Sequence, residues 1–284
     1  MSVQAGLGES THVPSDVPVL MYHSISTGEV ARQFRRFVTD PAAFTAQMDY
    51  LATEGYRPVT AADLAASRLS GRSLPPRPVV LTFDDAYADF HATALPILRD
   101  HGFQATLYVP TAFVGACAAW MSSFGEGDRP ILSWQALGEI AAEGVEVASH
   151  SHSHPQMDRL RPAAVREEVR RSRALLQDHL NIPVEGFAYP FGYWNRAARI
   201  ALASAGFRYA VQVADLMTTA HDDMLTLPRL TVNADIGAAR FARLLDARTT
   251  ASRRLAAGGK KFLWQALRQA VPVMSGDPRA RWQA

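Results

Sequence analysis

The chain has 284 residues, 48% hydrophobic content and a formal net charge of +2, enough apolar material to bury a full core as one domain. A single cysteine, Cys117, excludes an internal disulfide framework. No apolar run is long enough to cross a membrane, and no recognised nucleic-acid module accompanies the cations, so a nucleic-acid partner is not expected.

Taken in chain order, short apolar runs predict strands at 17–22, 79–83, 105–109, 145–149, 186–189, 209–213 and 227–232. Between them, helical spacing predicts helices at 41–54, 61–67, 92–101, 133–143, 162–180 and 195–205. Pro162 opens one of these helices, and Gly102, Gly144 and Gly206 follow the ends of three others. This alternation favours a wound β/α architecture over a sandwich. The stretch 116–130 lacks periodicity and is expected to form a loop near a site mouth. Its Trp120, and Trp134 beyond it, have two readings, stacking on a sugar ring or packing in the core.

Two segments carry the chemistry. Thr82-Phe83-Asp84-Asp85 places adjacent carboxylates where a strand runs out into a loop, and His150-Ser151-His152-Ser153-His154 follows a second short strand. Each segment alone has an ordinary explanation, a helix cap or a solvated loop. Together, at strand ends of a β/α protein, they describe one site, because that is where such folds assemble their ligand-binding groups. Two imidazoles and one carboxylate leave a coordination position for water, which suits a catalytic metal rather than a structural one. His152, between the two ligand candidates, is expected to point away.

The Thr82–Asp85 block and His150-Ser151-x-x-His154 resemble the first and second motifs of the polysaccharide deacetylases that share the NodB-homology domain, carbohydrate esterase family four. Ala188-Tyr189-Pro190-Phe191-Gly192 is similar to the third motif, with Ala188 where many members carry Arg. Val19-Leu20-Met21-Tyr22-His23-Ser24-Ile25 is also similar to family sequence. The resemblance implies a distorted, incomplete (β/α) barrel and a divalent ion at Asp85, His150 and His154, with Zn2+ expected and Co2+ or Ni2+ as alternatives. It implies Asp84 as general base toward water activated at the metal, and the Phe191 N–H as a donor to the oxyanion. No confident match to the family's downstream acid motif is found. His221 is the candidate acid, and His23 is read first as a structural histidine. Arg229 is expected to replace the absent third-motif Arg by orienting Asp84.

The implied activity is removal of N-acetyl groups from amino sugars in a polysaccharide, oligosaccharide or glycoconjugate. An O-acetyl sugar esterase and a non-catalytic saccharide-binding relative are the alternatives. The expected organisation is an extension at 1–16, a catalytic domain at 17–245 and a basic helical tail at 246–284. From Arg240 onward ten Lys/Arg stand against two Asp/Glu, a net +8 that leaves −6 for the remainder. That tail could lie on an anionic membrane surface or pack on the barrel. With no secretory signal read at 1–18, a cytoplasmic location is expected, peripheral to the membrane if the tail binds there.

Overall fold

A computed structural model of the chain describes residues 16–246. The expected N-terminal extension, apart from Asp16, and the basic tail, apart from Asp246, lie outside the described residues. Seven parallel strands form the centre: β1 (Val19–Tyr22), β2 (Pro78–Phe83), β3 (Thr106–Val109), β4 (Glu146–Ser149), β5 (Gly186–Ala188), β6 (Tyr209–Val213) and β7 (Leu227–Thr231). They pair in sequence order, and β7 pairs with β1, so the sheet closes into a barrel of seven strands. This is the (β/α) barrel expected, with seven strands in the closed ring and a short further strand, Arg57–Val59, parallel to Pro78–Val80 of β2. Its weakest seam lies between β4 and β5, which share a single registered position, Ser149 with Phe187.

All seven strands and all six helices expected from the sequence are present. The helices are α1 (Pro41–Thr53), α2 (Ala61–Ser70), α3 (Leu95–Asp100), α4 (Trp134–Ala142), α5 (Pro162–Leu180) and α6 (Arg196–Ser204), followed by α7 (Ala238–Leu245), which periodicity did not single out. Local chemistry explains their ends. Asp40 caps α1 through the Ala42 and Ala43 N–H groups, with Pro41 at the first position. Thr60 and Asp63 form a capping box on α2, and Gly71 ends it in the left-handed conformation. Ahead of α3 the chain runs through a π-helical turn, Phe90–Ala94. Pro96 lacks an N–H and crowds the preceding turn, and a wider turn accommodates it.

Side chains alternate across each strand. Val79, Leu81 and Phe83 face outward into the main core under the helices, while Val80 joins a second cluster inside the barrel with Val19, Tyr108, Ala148, Ala188, Tyr209, Val211 and Leu227. Ala61, Leu64 and Ala65 of α2 pack into that inner cluster. Glu146 is satisfied deep within it, accepting hydrogen bonds from Tyr209, from Thr106 at 2.8 Å and from the Ala62 N–H at 2.9 Å. Continuing the alternation Val80, Thr82, Asp84 on β2 and Glu146, Ala148, His150 on β4 brings Asp84 and His150 to the top of the barrel interior.

Candidate active site

The C-terminal ends of four strands supply the site. Asp84 and Asp85 follow β2, His150 and His154 follow β4, the Pro190–Gly192 turn follows β5, and His23 follows β1. Asp84 is fixed by the sheet, its N–H bonded to the Tyr22 carbonyl at 3.0 Å. Strand alternation would send Asp85 outward. Instead Asp85 and Ala86 take positive φ angles of 74° and 52°, which turns the chain and aims the Asp85 carboxylate back at the histidines. Ser151, His154 and Phe191 also have positive φ, 67°, 55° and 60°. Such backbone costs on the order of 1–3 kcal/mol per residue and gathers at functional sites.

Asp85 Oδ1 lies 3.2 Å from His154 Nε2 and 3.5 Å from His150 Nε2. One ligand atom from each of the three residues falls within 4.8 Å of the others, and all three side chains are buried. Asp85 Oδ1 is itself buried without a hydrogen bond, which is the condition expected of a carboxylate oxygen meant for a cation. His150 donates through Nδ1 to the Ala188 carbonyl at 2.8 Å, leaving Nε2 to face the carboxylates. The donor set therefore fits a divalent ion.

Electrostatics agree with this arrangement. Burial pushes His150 down to about 4, against the pull of Asp84, so at neutral pH it is an unprotonated imidazole. Burial opposes ionisation of Asp85, but His154, His23 and His150 outweigh it and hold the carboxyl below its ordinary range. Asp84 behaves likewise: burial raises its pKa, and Arg229 with His150 outweighs that and lowers it, for a net depression.

Arg229, from β7, grips Asp84 with both arms of its guanidinium, Nη1 to Oδ1 and Nη2 to Oδ2, each 2.7 Å. Its Nη1 also donates to Thr82 Oγ1 at 3.1 Å, and it stands over the Tyr108 ring. Arg229 is fully buried and Asp84 only 3% exposed. Ala188, the departure from the third motif, brings no cation to the site and meets His150 through its backbone carbonyl. Phe191 sets its ring edge-on to His154, with centroids 4.7 Å apart.

His221 is not brought to the site. It sits exposed in the turn after a two-residue strand, Thr218–Thr219, that pairs antiparallel with Asp16–Val17 just ahead of β1. The connection from β6 must travel back to the N-terminal end of the barrel before β7 can run parallel, and its middle carries His221 away from the strand tops. His23 is the histidine that the fold places among these charges. Half-buried beside Phe37, it feels Asp84, Asp85, Arg229 and His154, with burial lowering its pKa against the two carboxylates. Its signal in the sequence was its position immediately after the first barrel strand. His152 bonds Thr111 Oγ1 at 2.9 Å and stays outside the metal-ligating group. Trp134 stacks on His179, a packing role, whereas Trp120 stacks on His154.

The polysaccharide deacetylase family model matches residues 71–210, spanning both motif segments and strands β2 to β5. Residues 71–210 are thus polysaccharide deacetylase sequence, and relatives and solved structures that match most of the chain carry deacetylase names. The chain is 25% identical over 236 residues to the Bacillus subtilis protein YxkH, named for the same family, covering 83% of this chain and 78% of that one. It is 27% identical over 219 residues to the poly-beta-1,6-N-acetyl-D-glucosamine N-deacetylase of Escherichia coli, covering 66% of this chain but only 32% of that protein. A chitooligosaccharide deacetylase of Bradyrhizobium is 31% identical over 132 residues, 46% of this chain and 53% of that one. Among solved structures, the Streptococcus pyogenes deacetylase PplD shares the fold with a TM-score of 0.70 at 22% identity, over 83% of this chain and all of that one. IcaB from Ammonifex degensii does so with 0.67 at 21% identity, over 82% and 97%. No helix among the described residues is long and apolar enough to cross a membrane.

Proposed function

We propose that this protein is a polysaccharide deacetylase, a metal-dependent hydrolase that removes N-acetyl groups from amino sugars in a polysaccharide, oligosaccharide or glycoconjugate. The observation that carries the reading is the buried Asp84–Arg229 pair set beside the Asp85, His150 and His154 donor group. A binding module has no use for an ionised carboxylate held in reserve next to three metal donors. The names of two relatives, a poly-beta-1,6-N-acetyl-D-glucosamine N-deacetylase and a chitooligosaccharide deacetylase, support the substrate class.

In this reading Asp85, His150 and His154 hold the ion, and two nitrogens with one carboxylate oxygen favour Zn2+ over a harder cation. Such an ion supplies Lewis acidity, lowering the pKa of water and polarising an acyl carbonyl. Asp84, kept ionised by Arg229, takes the proton from the attacking water. The Phe191 N–H, presented by the turn after β5, donates to the oxygen that becomes negative as the acyl carbon turns tetrahedral. His23 would relay the proton that Asp84 takes from water to the departing amine, the role the sequence offered to His221, so that the water proton ends on the amine and both side chains return to their starting states.

The test is the purified, metal-reconstituted protein against a panel of N-acetylated and O-acetylated saccharides, with acetate and new primary amine measured together. Equal release of both supports the N-deacetylase. Acetate without amine turns the reading to an O-acetyl esterase, and saccharide binding without acetate turns it to a non-catalytic relative.

A further inference from the structure

The two candidate histidine ligands are held differently. A metal-binding imidazole ordinarily donates its second nitrogen to a fixed acceptor, which sets the ring plane. His150 obeys this through the Ala188 carbonyl at 2.8 Å. His154 does not: its Nδ1 is buried, and none of the described residues accepts from it. Rings surround it instead. The Trp120 indole stacks on it with centroids 4.8 Å apart and planes 30° from parallel, while Phe191 and His150 meet it edge-on at 4.7 and 4.8 Å.

Trp120 in turn is held by packing, its Nε1 also buried without an acceptor among the described residues. Phe113 lies 4.6 Å away and Tyr87 lies 6.5 Å away, nearly parallel. The loop that carries Trp120, residues 110–132, is tied down on both sides. Its main chain bonds the segment that follows Asp85, Leu132 N–H to the Ala86 carbonyl at 3.0 Å and Ala88 N–H to the Pro130 carbonyl at 2.9 Å. Arg129 bonds Asp89 at 3.1 Å and Ser24 at 2.6 Å, reaches Glu126 at 3.4 Å and covers the Tyr87 ring.

We propose that Trp120 is a positioning residue for the metal centre: its indole, clamped by the Arg129 network, sets the plane of His154 in place of the missing hydrogen bond. This rests on the reading of Asp85, His150 and His154 as metal ligands. Metal affinity is then coupled to the order of the 110–132 loop, and by linkage the bound metal must steady the loop to the same extent.

The experiment uses the full chain with Trp120→Phe and Trp120→Leu. Zn2+ affinity is measured by competition with a chromophoric chelator, and hydrogen exchange is followed across 116–130 with and without Zn2+. Trp120→Leu should weaken Zn2+ binding on the order of 10- to 100-fold, the usual effect of removing an outer support of a ligand, and Trp120→Phe less. Zn2+ should slow exchange of the loop in the parent protein and lose that effect in Trp120→Leu. Zn2+ binding within twofold of the parent in Trp120→Leu overturns the proposal, as does loop exchange indifferent to Zn2+ in the parent. Should Trp120→Leu not fold, the parent's exchange response and Trp120→Phe decide the matter. A parent protein that binds no Zn2+ removes the metal-site reading itself and the proposal with it.

Discussion

Replacing Arg229 with Met removes the cation beneath Asp84 while keeping most of the side-chain volume. Both Asp84 oxygens are bonded at 2.7 Å by a guanidinium with no solvent exposure, so water cannot take over the lost contacts. Breaking one side of such a buried pair costs about 3–5 kcal/mol, most of it the penalty of an uncompensated buried carboxylate. Asp84 relieves that penalty by taking up a proton, and a protonated Asp84 is no base. We therefore expect Arg229→Met to lower kcat by on the order of 100-fold or more, and to move the acid limb of the pH profile to higher pH. The linkage has a definite sign. The folded-state pKa of Asp84 is depressed, so its stabilising contribution is present above the ordinary carboxylate range and fades as pH falls through the folded value. The stability gap between parent and Arg229→Met, read by urea unfolding of the metal-free proteins, should be widest near neutrality and narrow in acid. Asp84→Asn combined with Arg229→Met should cost much less than the two single changes added. Additivity within about 0.5 kcal/mol, together with an unmoved acid limb, would refute the reasoning.

Asp85→Ala, His150→Ala and His154→Ala should each lose bound metal and activity, whereas Asp84→Asn keeps its metal, by elemental analysis, and loses most turnover. Chelation of the parent protein should abolish turnover and Zn2+ should restore it. His23→Gln should slow hydrolysis of an acetamide by on the order of 100-fold or more, while sparing an activated acetate ester whose leaving group needs no proton; equal losses on both would remove His23 as the acid. For His150, burial lowers the pKa from 6.5 to about 4, so the unfolded chain takes up its proton first as pH falls. The metal-free protein should keep its full contribution above about pH 6.5 and lose at most about 3 kcal/mol between there and pH 4. His150→Asn should flatten that slope in a series of urea titrations.

The sequence alone determined the order of strands and helices, because each barrel strand is a short apolar run and several helices carry local start signals, such as Asp40, Thr60 with Asp63, and Pro162. It also singled out Asp84-Asp85 and His150–His154 as the candidate site, since each segment sits where a strand ends. Parallel strands joined by right-handed crossovers leave little freedom beyond that. Tertiary structure decided what periodicity cannot encode. Closure at seven strands set β7 beside β1 and brought Arg229 within 2.7 Å of an Asp84 that lies 145 residues away in the chain. The positive φ angle at Asp85 aimed its side chain inward against the strand alternation, and nothing in the local periodicity marks that turn. The return path between β6 and β7 carried His221 to the far end of the barrel. The same closure set His23, an ordinary strand-end residue in sequence, among four charged or ligating groups. Such choices belong to tertiary structure because a side chain's partners depend on which strand tops converge, and convergence is settled by packing across the barrel rather than by any neighbour in the chain.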